Sequence, residues 1–133
     1  MFIERLLNQG NMPLLEQSVK FAAARQRLIA ENVANADTPG YVQKDMSVDS
    51  FQRMLRERVD SRASMPLGMT QFDDIMGDME HPAPNILFHD GANRSMEQLM
   101  SDNAKNGLYH NMMIEMLRKQ IGQLESALRE RIS

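Results

Sequence analysis

The sequence predicts a mainly α-helical chain: long N- and C-terminal helices paired as an antiparallel coiled coil, with an irregular middle segment containing a short helix and a short extended piece. Three observations lead there. Apolar residues recur at helical spacing between residues 14 and 33, and again between 96 and 128. Between these stretches Pro, Gly, Asp and Met are scattered without a sustained period. The organisation implied is an N-terminal helical segment with a turn over 1–41, a middle segment over 42–94, and a long helix over 95–133. Together they make one domain.

Taken in order, residues 1–9 offer a short amphipathic stretch through Phe2, Ile3, Leu6 and Leu7, interrupted by Gly10 and Asn11. Pro13 then stands where proline is tolerated, in the first turn of a new helix. Leu15, Val19, Ala22, Gln26, Ile29 and Val33 come next at alternating steps of 4 and 3. That spacing makes Leu15, Val19, Ala22, Ile29 and Val33 one side of an intrachain seam. A second stripe, Leu14, Phe21 and Leu28, widens the apolar arc beyond what one partner helix covers. Surplus apolar surface marks an interaction site, so these three are expected at contacts between subunits.

In the middle, "SVDSFQRMLRERV" reads as a short helix whose inner face runs through Phe51, Leu55 and Val59. "NILFHDG" reads as an extended piece over 86–89 closed by an Asp-Gly turn. The C-terminal helix opens with Ser95 and Gln98, the spacing of a capping box. It should run about 35 residues, roughly 50 Å at 1.5 Å per residue. Ile114, Leu117, Ile121, Leu124 and Leu128 supply the other side of the seam. The first half is softer and rich in Met, and Gly107 inside it suggests close packing or a slight bend.

Composition narrows the function. The 133 residues are 42% hydrophobic and 25% charged with a net charge of -3, a globular balance. Thirteen Met and no Trp favour adaptable packing over a rigid aromatic core. An acidic balance with no long basic run gives no reason to expect nucleic acid. Cysteine is absent, which excludes disulfides and thiolate chemistry. The N-terminus lacks the pattern of a cleaved secretory signal, and no run of about 20 apolar residues suits a membrane span.

No catalytic or cofactor site emerges. His81, His89 and His110 have no metal-ligand spacing, and His110 reads as a core or interface residue. Asp73, Asp74, Asp78 and Glu80 lack the turn glycine of a calcium loop and read as a solvated acidic stretch. No nucleophile elbow, phosphate loop or dinucleotide fingerprint is present. An enzyme, a metal, a cofactor and a small-molecule substrate are all unexpected.

One short string is more specific. In "ENVANADTPGY", residues 31–41, Asn35 is suited to end a helix in a left-handed conformation. Thr38-Pro39-Gly40-Tyr41 then has Pro and Gly where a type II turn places them. Asn32, Asn35, Asp37, Thr38, Pro39, Gly40 and Tyr41 are therefore the candidate turn motif. With "RQRLIAENVANADTPGYVQKDMSVDSF", the string resembles the signature of the bacterial flagellar rod and hook axial proteins. "DGANRSMEQLMSDNAKNGLYHNMMIEMLRKQIGQLESAL" is similar to the second region of that family. Residues 52–89 show no such likeness. "NQGNMP" departs from the family, whose helix often runs through that position.

The resemblance implies a structural subunit of the proximal rod of the flagellar basal body, since the chain is too short for the inserted domain of distal subunits. It implies helical assembly into a drive shaft and export channel, type III export without a cleaved signal, and a place in the rod crossing the periplasm. The partners it implies are other flagellar rod subunits, the E-type basal-body adaptor, the flagellar export gate and the membrane ring. Two other readings remain at this point: another axial component such as the C-type rod protein, or a soluble helical adaptor or export chaperone.

Overall fold

The computed structural model describes residues 10–62, 64 and 94–132, together with the backbone of 87–89. The elements are α1 (Met12–Ala34), β1 (Lys44–Met46), α2 (Val48–Arg62), β2 (Leu87–His89) and α3 (Met96–Ile132). The expected stretch at 1–9, the Asp-Gly turn at 90–91 and the acidic stretch at 73–80 lie outside the described residues.

Helix α1 starts where the sequence places it. Gly10 has φ 79, a left-handed conformation that favours glycine, and Pro13 occupies the first turn. The Leu15 N–H donates to the Asn11 carbonyl at 2.9 Å. Helix α3 opens on the expected capping box. The Gln98 N–H donates to Ser95 Oγ at 3.3 Å, while the Ser95 N–H donates to Gln98 Oε1 at 3.4 Å. Ser47 does similar work for α2, its Oγ accepting the Ser50 N–H at 3.1 Å.

Helices α1 and α3 pack antiparallel. Gln26 meets Asn103 and Asn106, while Leu14 and Leu15 at the other end stand with Met113, Met116 and Gln120 around one cavity. On α1 the pairing buries Leu15, Ala22 and Ile29, with Val19 and Val33 half-buried. On α3 the most buried residues are Leu99, Asn106 and Met113, spaced by seven. Among the residues expected in the α3 seam, Ile114, Leu117, Leu124 and Leu128 are half-buried. Ile121 is corrected: it is 41% exposed. Asn11, just before α1, stands beside Gln120 and Gln123, so the last turns of α3 run past the start of α1.

The wide arc of α1 is covered within the chain, which corrects another expectation. Phe21 is 1% exposed and stacks on Phe51 of α2, with ring centroids 4.0 Å apart and planes 8° from parallel. Met46 and Leu55 complete this small core, and Leu14 and Leu28 pack against it. The second stripe thus faces α2 and β1, because the chain doubles back after α1 and lays its short helix on that face. Val59 is also corrected. At 43% exposure it lies beyond the Phe21–Phe51 cluster. Gly107 neither packs closely nor breaks α3: a Cβ there would meet nothing within 4 Å, and the helix is continuous.

β1 and β2 form an antiparallel pair in the register Lys44 with His89, Asp45 with Phe88 and Met46 with Leu87. The expected extended piece is therefore one strand of a two-stranded ribbon.

Candidate functional site

The stretch that ends α1 is the most specific feature of the fold. Asn35 closes the helix with φ -106 rather than in a left-handed conformation, correcting that expectation. It works through its side chain instead. Both its backbone N–H and its Nδ2 donate to the Glu31 carbonyl, at 3.0 and 2.9 Å. One carbonyl left over at the helix end thereby gains two donors. The positive φ falls on Gly40, at 75, and the Tyr41 N–H donates to the Thr38 carbonyl at 3.2 Å. Pro39 at the second position and Gly40 at the third make this the type II turn read from the sequence. Thr38 Oγ1 donates to Asn35 Oδ1 at 3.3 Å. Asp37 is exposed beside them.

Asn32 anchors the turn to β1. Its side chain is 1% exposed. Nδ2 donates to the Lys44 carbonyl at 2.6 Å, and Oδ1 accepts the Lys44 N–H at 3.0 Å and the Tyr41 hydroxyl at 3.2 Å. Burial, and then the Glu31 carboxylate, raise the Tyr41 phenol above its ordinary value and keep it a hydroxyl donor. Gln43 repeats the device on the C-terminal half. Its Nε2 donates to the Arg94 carbonyl at 3.2 Å and its Oε1 accepts the Arg94 N–H at 2.9 Å. Two buried amide side chains thus pair with backbone as a neighbouring strand would.

A charged clasp lies beside them. The Asp45 carboxylate accepts Arg25 Nε at 2.9 Å and Arg25 Nη2 at 3.0 Å, a bidentate pair. It also accepts Arg94 Nη1 at 2.9 Å and the Met46 N–H at 2.8 Å. Arg94 reaches on to Asp102 at 3.3 Å. Burial pushes the Asp45 carboxyl up, but the hydrogen bonds from Arg25 and Arg94 outweigh it and hold Asp45 below the usual carboxylate range. The Arg25 guanidinium is raised, chiefly by its hydrogen bond to Asp45. Helix α1, β1 and the start of α3 are locked by this group.

The sequence reading did not find the clasp, Gln43 or Asn106. Asn106 Nδ2 donates to the Ala22 carbonyl at 2.9 Å and to Gln26 Oε1 at 2.7 Å, across the helix pair. Gln26 donates in turn to Asn103. These partners lie far apart in the sequence and obey no local period. The one available signal was a polar residue at the seven-residue spacing of Leu99 and Met113.

Among the described residues no group of His, Asp and Glu is placed to hold a metal, and no helix is long and apolar enough to cross a membrane. What the arrangement does is mechanical. It fixes the end of one long helix, reverses the chain, and ties the reversal to the other long helix.

The site is thus a chain reversal anchored to a pair of long helices, and the comparisons find similarity to flagellar rod proteins. The family model described as "Flagella basal body rod protein" matches residues 21–41, from Phe21 in the α1 core to Tyr41 of the turn. The chain is 26% identical over 122 residues to "Flagellar basal body rod protein FlgB" of Escherichia coli (strain K12), covering 85% of this chain and 88% of that protein. To the protein of the same name in Yersinia ruckeri it is 25% identical over 130 residues, 91% of this chain and 95% of the relative. To that of Salmonella typhimurium it is 28% identical over 123 residues, 85% and 88% of the two chains. No solved structure gives a significant match. The resemblance read from the sequence, to the flagellar rod and hook axial proteins, stands, and the relatives it finds are rod proteins of the B type.

Proposed function

We propose that this chain is a structural subunit of the proximal rod of the bacterial flagellar basal body, part of the shaft that transmits torque and encloses the export channel. The observation that carries the reading is the Asn32–Tyr41–Lys44 anchor, which lies at the end of the matched stretch. Similarity along most of the chain to rod proteins of the B type supports it and disfavours an adaptor or chaperone. The family is structural, and association with other basal-body components follows from it.

The finer expectations belong to the same proposal. The chain is exported by the type III apparatus without a cleaved signal, and takes its place at the base of the rod that crosses the periplasm. There it contacts other rod subunits, the E-type adaptor, the export gate and the membrane ring. Deleting the chain's gene in its host and purifying hook-basal bodies tests this. The expected result is loss of motility with the rod missing, restored by the intact chain. Motile cells with complete rods would overturn it.

A further inference from the structure

The last turns of α3 are covered on one side only. Helix α3 runs twelve residues beyond Gln120, about 18 Å, whereas α1 begins beside Gln120 and Gln123, at Asn11. In that overhang Leu124 and Leu128 are half-buried, and every other residue from 121 to 130 is exposed. The two leucines stand four apart, on one face of the helix. Helix α1 stops short of them, so their cover comes from another part of the chain.

The residues just before α1 fit that place. Leu15 and Met116 line one cavity of about 490 Å³ with Asn11 and Gln120. Four residues further along in each direction the pairs are Leu7 with Leu124, and then Ile3 with Leu128. The register of the helix pair thus carries apolar residues onto both leucines. Glu4 and Arg5 are the charges of the segment, and on α3 Glu125, Arg129, Glu130 and Arg131 surround the leucines. Acid and base stand on both sides, so neither repels the other. Residues 65–85 are interrupted by Pro and Gly and keep no such period. At Gly10 the φ of 79 turns the chain, and Arg62 Nη1 donates to the Gly10 carbonyl at 2.6 Å, fixing the corner against the end of α2.

We propose that residues 1–9 are a short helical strap, jointed to α1 at Gly10, that docks on the end of α3 of the same chain with Leu7 on Leu124 and Ile3 on Leu128. Nine residues are too few to hold a helix in water alone, so the strap is ordered where it is docked. Gly10 and Asn11 interrupt the backbone ladder between strap and shaft. The strap therefore lifts from α3 as one piece while α1 stays wound.

The chain has no cysteine, so thiols are introduced without interference. The purified full chain is oxidised at high dilution and followed on non-reducing gels. Leu7→Cys with Leu124→Cys should close an intramolecular disulfide about tenfold faster than Leu7→Cys with Ser126→Cys, because Ser126 is exposed on the far side of α3. Ile3→Cys with Leu128→Cys should behave like the first pair. In the single variant Leu124→Cys the thiol should react slowly with a soluble maleimide, and severalfold faster once Leu7→Ser is added. Equal closure of the Leu124 and Ser126 pairs would overturn the proposal. Disulfide-linked dimers in place of the closed monomer would also overturn it, since the segment would then lie on another copy. So would a labelling rate that Leu7→Ser leaves unchanged. Each of these outcomes leaves the rod reading standing.

Discussion

The Asn32 side chain pairs with the Lys44 backbone as a strand residue would, giving a hydrogen to its carbonyl at 2.6 Å and taking one from its N–H at 3.0 Å. A single amide thereby ties the end of α1 to β1 across the turn. Asn32→Ala leaves both Lys44 groups without these partners, at a cost on the order of 2 kcal/mol. Asn32→Asp supplies no donor and sets a carboxylate oxygen against the Lys44 carbonyl, so it should cost more. Urea denaturation of the three chains checks the order: intact, then Ala, then Asp.

At Gly40 the φ of 75 is one that β-branched residues rarely tolerate. Gly40→Val should destabilise the turn by about 1–2 kcal/mol and block rod assembly while export continues. Gly40→Asn, which accepts a left-handed conformation more readily, should lose much less. Swimming assays and immunoblots of exported protein separate the two effects. Normal motility with Gly40→Val would refute the role given to the turn.

Phe21 is an internal residue, and its deletion should show this. Phe21→Ala empties one half of the Phe21–Phe51 stack, with an expected loss of about 3–5 kcal/mol. Leu108→Ala, at 74% exposure, should leave the melting temperature of the isolated chain nearly unchanged. Thermal melts of the two variants distinguish core from surface. Equal losses would mean that Leu108 is covered within the chain.

The clasp makes stability depend on acid. Asp45 titrates below its unfolded value of about 3.9, so its contribution is complete above that pH. It is lost as pH falls through the lower folded value, where Asp45 takes up a proton and its pairing with Arg25 and Arg94 weakens. Urea midpoints measured downward from pH 5 should fall for the intact chain and fall less steeply for Asp45→Asn. At neutral pH the variant should already be the weaker protein.

Gln17 points the other way. It is 2% exposed, and its Oε1 has no hydrogen-bond partner among the described residues. Gln17→Met keeps the volume and removes the orphan acceptor, so it should stabilise the chain by about 1 kcal/mol. A raised melting temperature checks this.

Much of this was legible before the fold was known, where the signal is local. Helical spacing marked α1 and α3, the Ser95–Gln98 interval marked the cap of α3, and Pro39 followed by Gly40 marked the type II turn. Each is set by residues within a turn or two of one another, so composition and spacing suffice. The motif also showed which residues mattered without showing how. Asn35 ends the helix through its side chain, and Asn32 reaches twelve positions ahead to Lys44.

Only the tertiary structure decided what covers the second apolar stripe. Periodicity gives the width of a greasy arc but not its neighbour, and Phe21 has Phe51 of its own chain. The same holds for the Arg25–Asp45–Arg94 clasp and for Asn106 on Ala22, whose partners stand 20 to 84 residues apart. Those contacts exist because chain reversal after Tyr41 returns β1 and α2 to the side of α1, while α3 takes the other. Sequence determines each helix through bonds a few residues long, whereas burial and charge pairing over long separations depend on how the helices come to lie together.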